Sequence, residues 1–190
     1  MKRPAQVNRK PLDRADGLVG TMMRLRQHEV VLCGPRVTLR PMTESDWHYL
    51  LKWNNDPDVL RTAEGDSVEG YTLEQIKNIY CSVSEHGYCF MIEVDGRTIG
   101  ECWLQQMNLD RILSAYPEHD IRRIDLVIGE ADYRGRGFGT EVVATLTRFA
   151  FEQEQADLVF GCDIAEDNPA SLGAFLKAGY VVREGVAQSP

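Results

Sequence analysis

The chain has 190 residues, 43% of them hydrophobic and 26% charged, proportions of one ordinary folded domain that exclude a largely disordered chain. The formal charge of −8 divides unevenly, because residues 1–30 carry seven Lys and Arg against three acids, a net of +4, which leaves −12 on the rest. A body that acidic repels nucleic acid and anionic membrane and suits a cationic partner, although a merely solvated surface has the same balance.

In chain order, residues 1–30 show no sustained period. Leu18, Met22 and Leu25 share a helical spacing, but Gly17 and Gly20 weaken it. The segment reads as a basic N-terminal arm over 1–34, with the folded domain over 35–190. Val30–Leu32 and Arg36–Arg40 read as short strands around the turn Gly34-Pro35. Thr43 with Asp46 three residues on starts a helix with Trp47, Leu50, Leu51 and Trp53 on its apolar face, and Asp56-Pro57 stops it. Thr72 caps a second helix through Leu73, Ile76, Tyr80 and Val83. Tyr88–Val94 and Arg97–Gln106 form a hairpin about Asp95-Gly96. Residues 107–120 read as polar and irregular, Ile121–Ile128 as a strand, and Phe138 to about Gln153 as a helix with Val142, Leu146 and Phe149 facing inward. Leu158–Ile164 reads as a strand, Pro169–Ala178 as a helix and Tyr180–Arg183 as a last strand. The order predicts an α/β fold, a mixed sheet covered by helices.

Five scattered cysteines (Cys33, Cys81, Cys89, Cys102, Cys162) with no C-x-x-C pair argue against a disulfide framework or a zinc site and fit a reducing cytoplasm. No apolar run reaches the ~20 residues that span a bilayer, and the basic Met1–Lys10 has no apolar stretch after it, unlike a secretory signal. The four histidines have neither metal spacing nor a paired nucleophile, and the three tryptophans read as core.

The segment Arg134-Gly135-Arg136-Gly137-Phe138-Gly139, followed by Thr140, lies between an apolar strand and an amphipathic helix. Alternate glycines let the backbone approach a ligand closely, and the helix N-terminus directs free N–H groups at it. With two arginines added, this is a diphosphate cradle. A dinucleotide fingerprint would need Gly where Thr140 stands, and a Walker loop would need Gly-Lys-Ser/Thr. A tight turn with solvent-facing arginines is the other reading.

Arg134-x-x-Gly137-x-Gly139 after Ile124–Ile128 resembles the acyl-CoA pyrophosphate loop of the GNAT superfamily of N-acetyltransferases, and Asn168 through Lys177-Ala-Gly179-Tyr180 resembles its second signature. The likeness covers about residues 35–184. It implies a GNAT-type mixed, mostly antiparallel central sheet flanked by about four helices. It also implies acetyl-CoA as cosubstrate, with no metal, and direct attack of an amine on the thioester. By position, the backbone amides of Arg134–Thr140 would hold the pyrophosphate. Leu126, Val127 and Ile128 would line the pantetheine arm, with a backbone N–H at Val127 or Ile128 on the oxyanion. Asn168, Phe175 and Lys177 would border the cofactor. In the family the strands at 124–128 and 158–162 splay apart to leave a notch for the thioester.

Phe175 stands where the family's usual general acid is a Tyr, so no residue is assigned that role and a non-catalytic acetyl-CoA-binding module is an alternative. For the base or amine anchor the first candidate is Asp125, a carboxylate in an otherwise apolar run; the competing reading is a strand-end acid paired with Arg122 or Arg123. Glu101 and Asp163 are the second and third candidates. The stretch Val37–Asp46, the Tyr71-Thr-Leu-Glu helix start and Arg-x-Ile-Asp125 are similar to the aminoglycoside 6'-N-acetyltransferase branch, and Glu118, Asp120, Asp125, Glu130 and Asp132 gather near the proposed site in sequence. The expectation is an N-acetyltransferase acting on a primary amine of a small cationic acceptor, first an aminoglycoside. Protein N-termini and other small amines are the alternative acceptors. Little chain follows Tyr180–Arg183 to complete the sheet, so its edge is open, completed by a partner subunit or covered by the basic arm 1–34; an unpaired edge invites pairing, and a homodimer is expected.

Overall fold

A computed structural model describes residues 24–64, 70–165 and 168–183; the arm before residue 24 lies outside the described residues. The sheet has six strands in sequence order: β1 (Leu32–Cys33), β2 (Thr38–Pro41), β3 (Gly87–Val94), β4 (Arg97–Gln106), β5 (Ile121–Ile128) and β6 (Leu158–Phe160). Every neighbouring pair is antiparallel except β5 and β6. Among the described residues six α-helices flank it: α1 (Trp47–Asn54), α2 (Pro57–Glu64), α3 (Leu73–Glu85), α4 (Asp110–Ala115), α5 (Phe138–Glu152) and α6 (Pro169–Lys177).

Local signals account for most boundaries. Asp95 and Gly96 both have positive φ (49° and 73°), the geometry of a two-residue hairpin turn, and Val94 pairs with Arg97 across it. Thr72 and Gln75 form a reciprocal capping box at the start of α3. Asp46 takes the corresponding place before α1, accepting from the Thr43 amide at 2.8 Å and from both Nη atoms of Arg40 at 2.8 Å.

Period-two alternation sends each strand's side chains to two cores. Phe90, Ile92, Cys102, Leu104 and Ile124 face α5, meeting Val142, Leu146 and Phe149. Cys89, Met91 and Trp103 face the other way, meeting Leu50 and Trp53 of α1 and Ile76 and Tyr80 of α3. Burying each such side chain contributes about 1.5–3 kcal/mol. Residues read as the end of the arm belong to this second layer: Leu25 is buried in it, Arg26 donates to the Ser84 and Gly87 carbonyls, and His28 Nε2 lies 3.0 Å from the Cys89 carbonyl.

Four local expectations are corrected. Asp56-Pro57 does not end the helical run but restarts it: Asp56 Oδ1 accepts from the amides of Asp58 and Val59, and Pro57, needing no donor, opens α2. The stretch 107–120, read as irregular, contains α4, whose Ile112 is buried against Met107 and Ile121. The strand read as Leu158–Ile164 stops at Phe160. Tyr180–Arg183 is not a strand; the Tyr180 amide instead donates to the Phe175 carbonyl, closing α6 through Gly179 at φ 97°.

Candidate functional site

The cleft begins where two strands part. β5 and β6 run parallel only from Ile121↔Leu158 to Arg123↔Phe160. Beyond that register β5 continues to Ile128 beside β4, while residues 161–165 leave the sheet. The edge of β5 from Ile124 onward therefore has no strand partner on that side among the described residues. A cleft of about 580 Å³ opens there, floored by Ile124–Ile128 and walled by α2, the glycine loop, residues 162–165 and α6.

The glycine loop meets this cleft with backbone. Gly137 is the N-cap of α5 at φ 87°, a conformation a residue with a Cβ adopts only under strain. Because the cap has no side chain, nothing of its own covers the first amides of α5, which have no preceding-turn carbonyl to receive them. Gly135, Gly137, Gly139 and Thr140 all border the cleft. Leu126, Val127, Ile128, Asn168, Phe175 and Lys177 border it as well. Asn168 caps α6, its Oδ1 accepting from the Ser171 amide at 3.0 Å.

The two arginines of the loop behave differently from each other. Arg134 reaches the cleft, but its guanidinium donates to the carbonyls of Ile128 (2.9 Å) and Gly129 (2.7 Å) and lies 3.6 and 3.7 Å from Asp56 and Asp58. Arg136 lies over the rings of Tyr133 and Phe138, 5.3 and 5.5 Å from their centroids, and Phe138 is itself core. Neither Arg136 nor Phe138 lines the cleft.

The three acids are placed unequally. Asp125 lines the cleft, its carboxylate gripped by Arg123. Asp163 lines it too, at φ 53°, 2.5 Å from Arg111 of α4. Glu101 is opposite Val127 in β4, on the same sheet face as Asp125, but is 1% exposed and outside the cleft lining. Its charge adds to burial in pushing the Cys89 and Cys102 thiols up. Of the acids adjacent in sequence, Asp120 binds Arg122 at the other end of β5, and Glu130 accepts from Lys52 and Trp53 of α1. These partners hold the Glu130 carboxyl below the ordinary value, the Lys52 hydrogen bond being the main cause.

Phe175 is 5% exposed and edge-on to Tyr180, with ring centroids 5.0 Å apart. A Cβ at Gly161 would come within 2.5 Å of that ring, so Gly161 is the residue that lets the departing chain pass over α6. The nearby Tyr180 hydroxyl is bound to Thr147 Oγ1 at 2.6 Å and, mainly by burial, its pKa is pushed up to about 12. Burial likewise pushes the Cys162 thiol up to about 12, which makes it a poor nucleophile. Among the described residues no group of three or more His, Cys, Asp or Glu is placed to hold a metal ion, and no helix is long and apolar enough to cross a membrane.

Sequence reasoning missed Asp58, Val59 and Arg61 of α2 as cleft residues, and Arg111 and Asn108 as members of the polar network around Asp125 and Asp163. For α2 the signal existed in Asp56-Pro57, which serves equally as a helix stop and as an N-cap with Pro at the first position.

A mixed sheet whose one parallel pair diverges in mid-strand, beside a helix N-terminus capped by glycine, is the frame on which this cleft is built. The sequence profile of the acetyltransferase (GNAT) domain matches residues 36–181, and the chain belongs to that family. It is 24% identical over 159 residues to the aminoglycoside N(6')-acetyltransferase type 1 of Klebsiella pneumoniae, covering 81% of this chain and 78% of the relative. It is 27% identical over 171 residues to the human alpha/beta-tubulin-N-acetyltransferase 9, covering 83% and 78%. A solved structure of AAC(6')-Ib in complex with paromomycin and acetyl-CoA shares the fold at a TM-score of 0.61 and 22% identity, over 78% of this chain and 84% of that one.

Proposed function

We propose that the chain moves the acetyl group of acetyl-CoA directly to a primary amine of a small cationic acceptor, an aminoglycoside being the first to test. The observation that carries this reading is the parting of β5 from β6 after Arg123, with the glycine-capped end of α5 at one side of the opening and Asp125 and Asp163 at the other. The amides of residues 137–140 and the positive end of α5 suit a diphosphate, and the unpaired edge of β5 suits an extended amide-bearing arm. Acetyl-CoA supplies the activated acyl thioester. The Asp125 carboxylate, oriented by Arg123, would anchor the acceptor's ammonium or take its proton, with Asp163 a second anchor. Glu101, buried beneath them, would act on the same face through charge. Phe175 offers no proton, so the thiolate would leave unassisted or be protonated by water.

Support for the acceptor class comes from the acidic body and from the likeness to an aminoglycoside acetyltransferase. The outer edge of β6 has no strand beside it among the described residues, which favours a homodimer; a monomer by light scattering at high concentration would contradict that. The test of activity is loss of the acetyl-CoA thioester with aminoglycosides, polyamines and peptide N-termini in parallel. Turnover with the first class supports the whole reading, turnover with another redirects the acceptor, and CoA binding without turnover favours a binding module.

A further inference from the structure

We propose that Arg61 of α2 is the side chain that meets the phosphates of the anionic cosubstrate, an inference that rests on the acyl-CoA reading above. Among the described residues the cations bordering the cleft are Arg61, Arg134 and Lys177. Arg134 is committed to the Ile128 and Gly129 carbonyls and to two carboxylates, and Arg136 is turned onto aromatic rings outside the cleft. The arginines that the glycine loop offers are therefore engaged in holding the loop rather than aimed at a ligand.

Arg61 differs from both. Asp58, in the first turn of α2, lies 3.7 Å from Arg134, the first residue of the glycine loop, which fixes that face of α2 at the phosphate end of the cleft. Residues three apart on a helix share a face, and Arg61 is paired with Asp58 at 3.5 Å. Both side chains are mostly exposed, 58% and 70%. Such a solvated pair holds little energy. A diphosphate at the start of α5 carries more charge than one carboxylate and matches the two-pronged guanidinium better than a hydrated Asp58 does. Arg61 exchanges Asp58 for phosphate, so that α2 as well as the glycine loop meets the cosubstrate. The main-chain cradle alone does not give this contact, because it comes from a side chain of a separate element, α2, joined to the glycine loop through Asp58 and Arg134.

The test is calorimetric titration of CoA into the wild-type chain, Arg61→Gln and Arg61→Lys, at low and at physiological salt. Arg61 is exposed, so both variants keep the wild-type melting temperature. Arg61→Gln weakens CoA binding roughly tenfold at low salt and loses less affinity than the wild type as salt rises, while Arg61→Lys, which keeps the charge but not the two-pronged guanidinium, recovers only part of the affinity. Equal CoA affinity in wild type and Arg61→Gln, or a loss that salt does not narrow, overturns this inference alone. A wild-type chain that takes up no CoA overturns the acyl-CoA reading and this inference with it.

Discussion

Arg123 grips Asp125 with two hydrogen bonds, Nε to Oδ2 at 2.6 Å and Nη2 to Oδ1 at 2.9 Å, across a side-chain exposure of 11% and 18%. The two residues are next-but-one neighbours on one strand face, so the pair forms without any help from the fold, yet it lies where β6 has just left the sheet. An arginine fork of this kind fixes the plane of the carboxylate. An acceptor ammonium placed at Asp125, as proposed, would therefore meet an acid already paired and share it rather than neutralise it.

Asp125→Asn keeps the shape and removes the charge. Turnover in the thioester assay is expected to fall by about 100-fold or more if the carboxylate works as base or anchor, with CoA affinity by calorimetry unchanged. Activity within twofold of wild type would remove Asp125 from the mechanism and leave it as the partner of Arg123.

Phe175→Tyr places a hydroxyl on the ring that borders the cleft. A several-fold rise in kcat with an unchanged KM for acetyl-CoA is expected, since an acid near the departing thiolate contributes only to leaving. An unchanged kcat would mean that departure of the thiolate does not limit the rate.

Gly161→Ala drives a methyl to within 2.5 Å of the Phe175 ring. Overpacking of that kind costs about 1–3 kcal/mol, to be read from urea unfolding. Combining it with Phe175→Leu, which shortens the opposing side chain, should cost less than the two changes added together. Strict additivity would show that the backbone moves instead.

Asp46 contributes stability that depends on pH. Burial pushes its carboxyl up, but the Arg40 hydrogen bonds and the Thr43 donors outweigh burial and hold it below its ordinary value. A carboxyl depressed on folding adds stability above its unfolded pKa of about 4 and loses it as pH falls through the lower folded value. Asp46→Asn should therefore destabilise the chain at neutral pH, by about 2 kcal/mol, and should flatten the wild-type loss of stability below pH ~4. Parallel wild-type and Asp46→Asn curves across that range would dismiss the linkage.

Much of this protein is written in short-range chemistry. Asp95-Gly96 specifies its hairpin because both residues tolerate positive φ. Thr72 with Gln75 specifies the start of α3, and Gly135–Gly139 the loop before α5, because caps and turns are decided within four residues. The inward faces of α3 and α5 follow from spacing alone, and so did the family, since both signatures lie on contiguous stretches.

Other features depended on contacts between distant residues. Asp56-Pro57 suits a stop or a start equally, and the buried Val59 and the Arg134 contacts of α2 decide for the start. Residues 161–164 continue directly from an apolar strand and read as its extension, but the chain leaves the sheet at Gly161, where it passes so close to the Phe175 ring that a Cβ would not fit. Alternation places Asp125 and Glu101 on one face, yet only the divergence of β6 opens the cleft to Asp125, while Glu101, on β4 between β3 and β5, is buried. Asp58 of α2 comes to Arg134, and Arg111 of α4 to Asp163, in the same way, whereas Arg136 meets rings only two and three residues away. Chain order alone determines a charge, its local backbone and a partner two residues away, as Arg123 is to Asp125; whether a strand parts beside that pair to open a cleft, and which side chain of another element a charge meets, is a matter of packing between segments far apart in sequence, and so belongs to the tertiary structure.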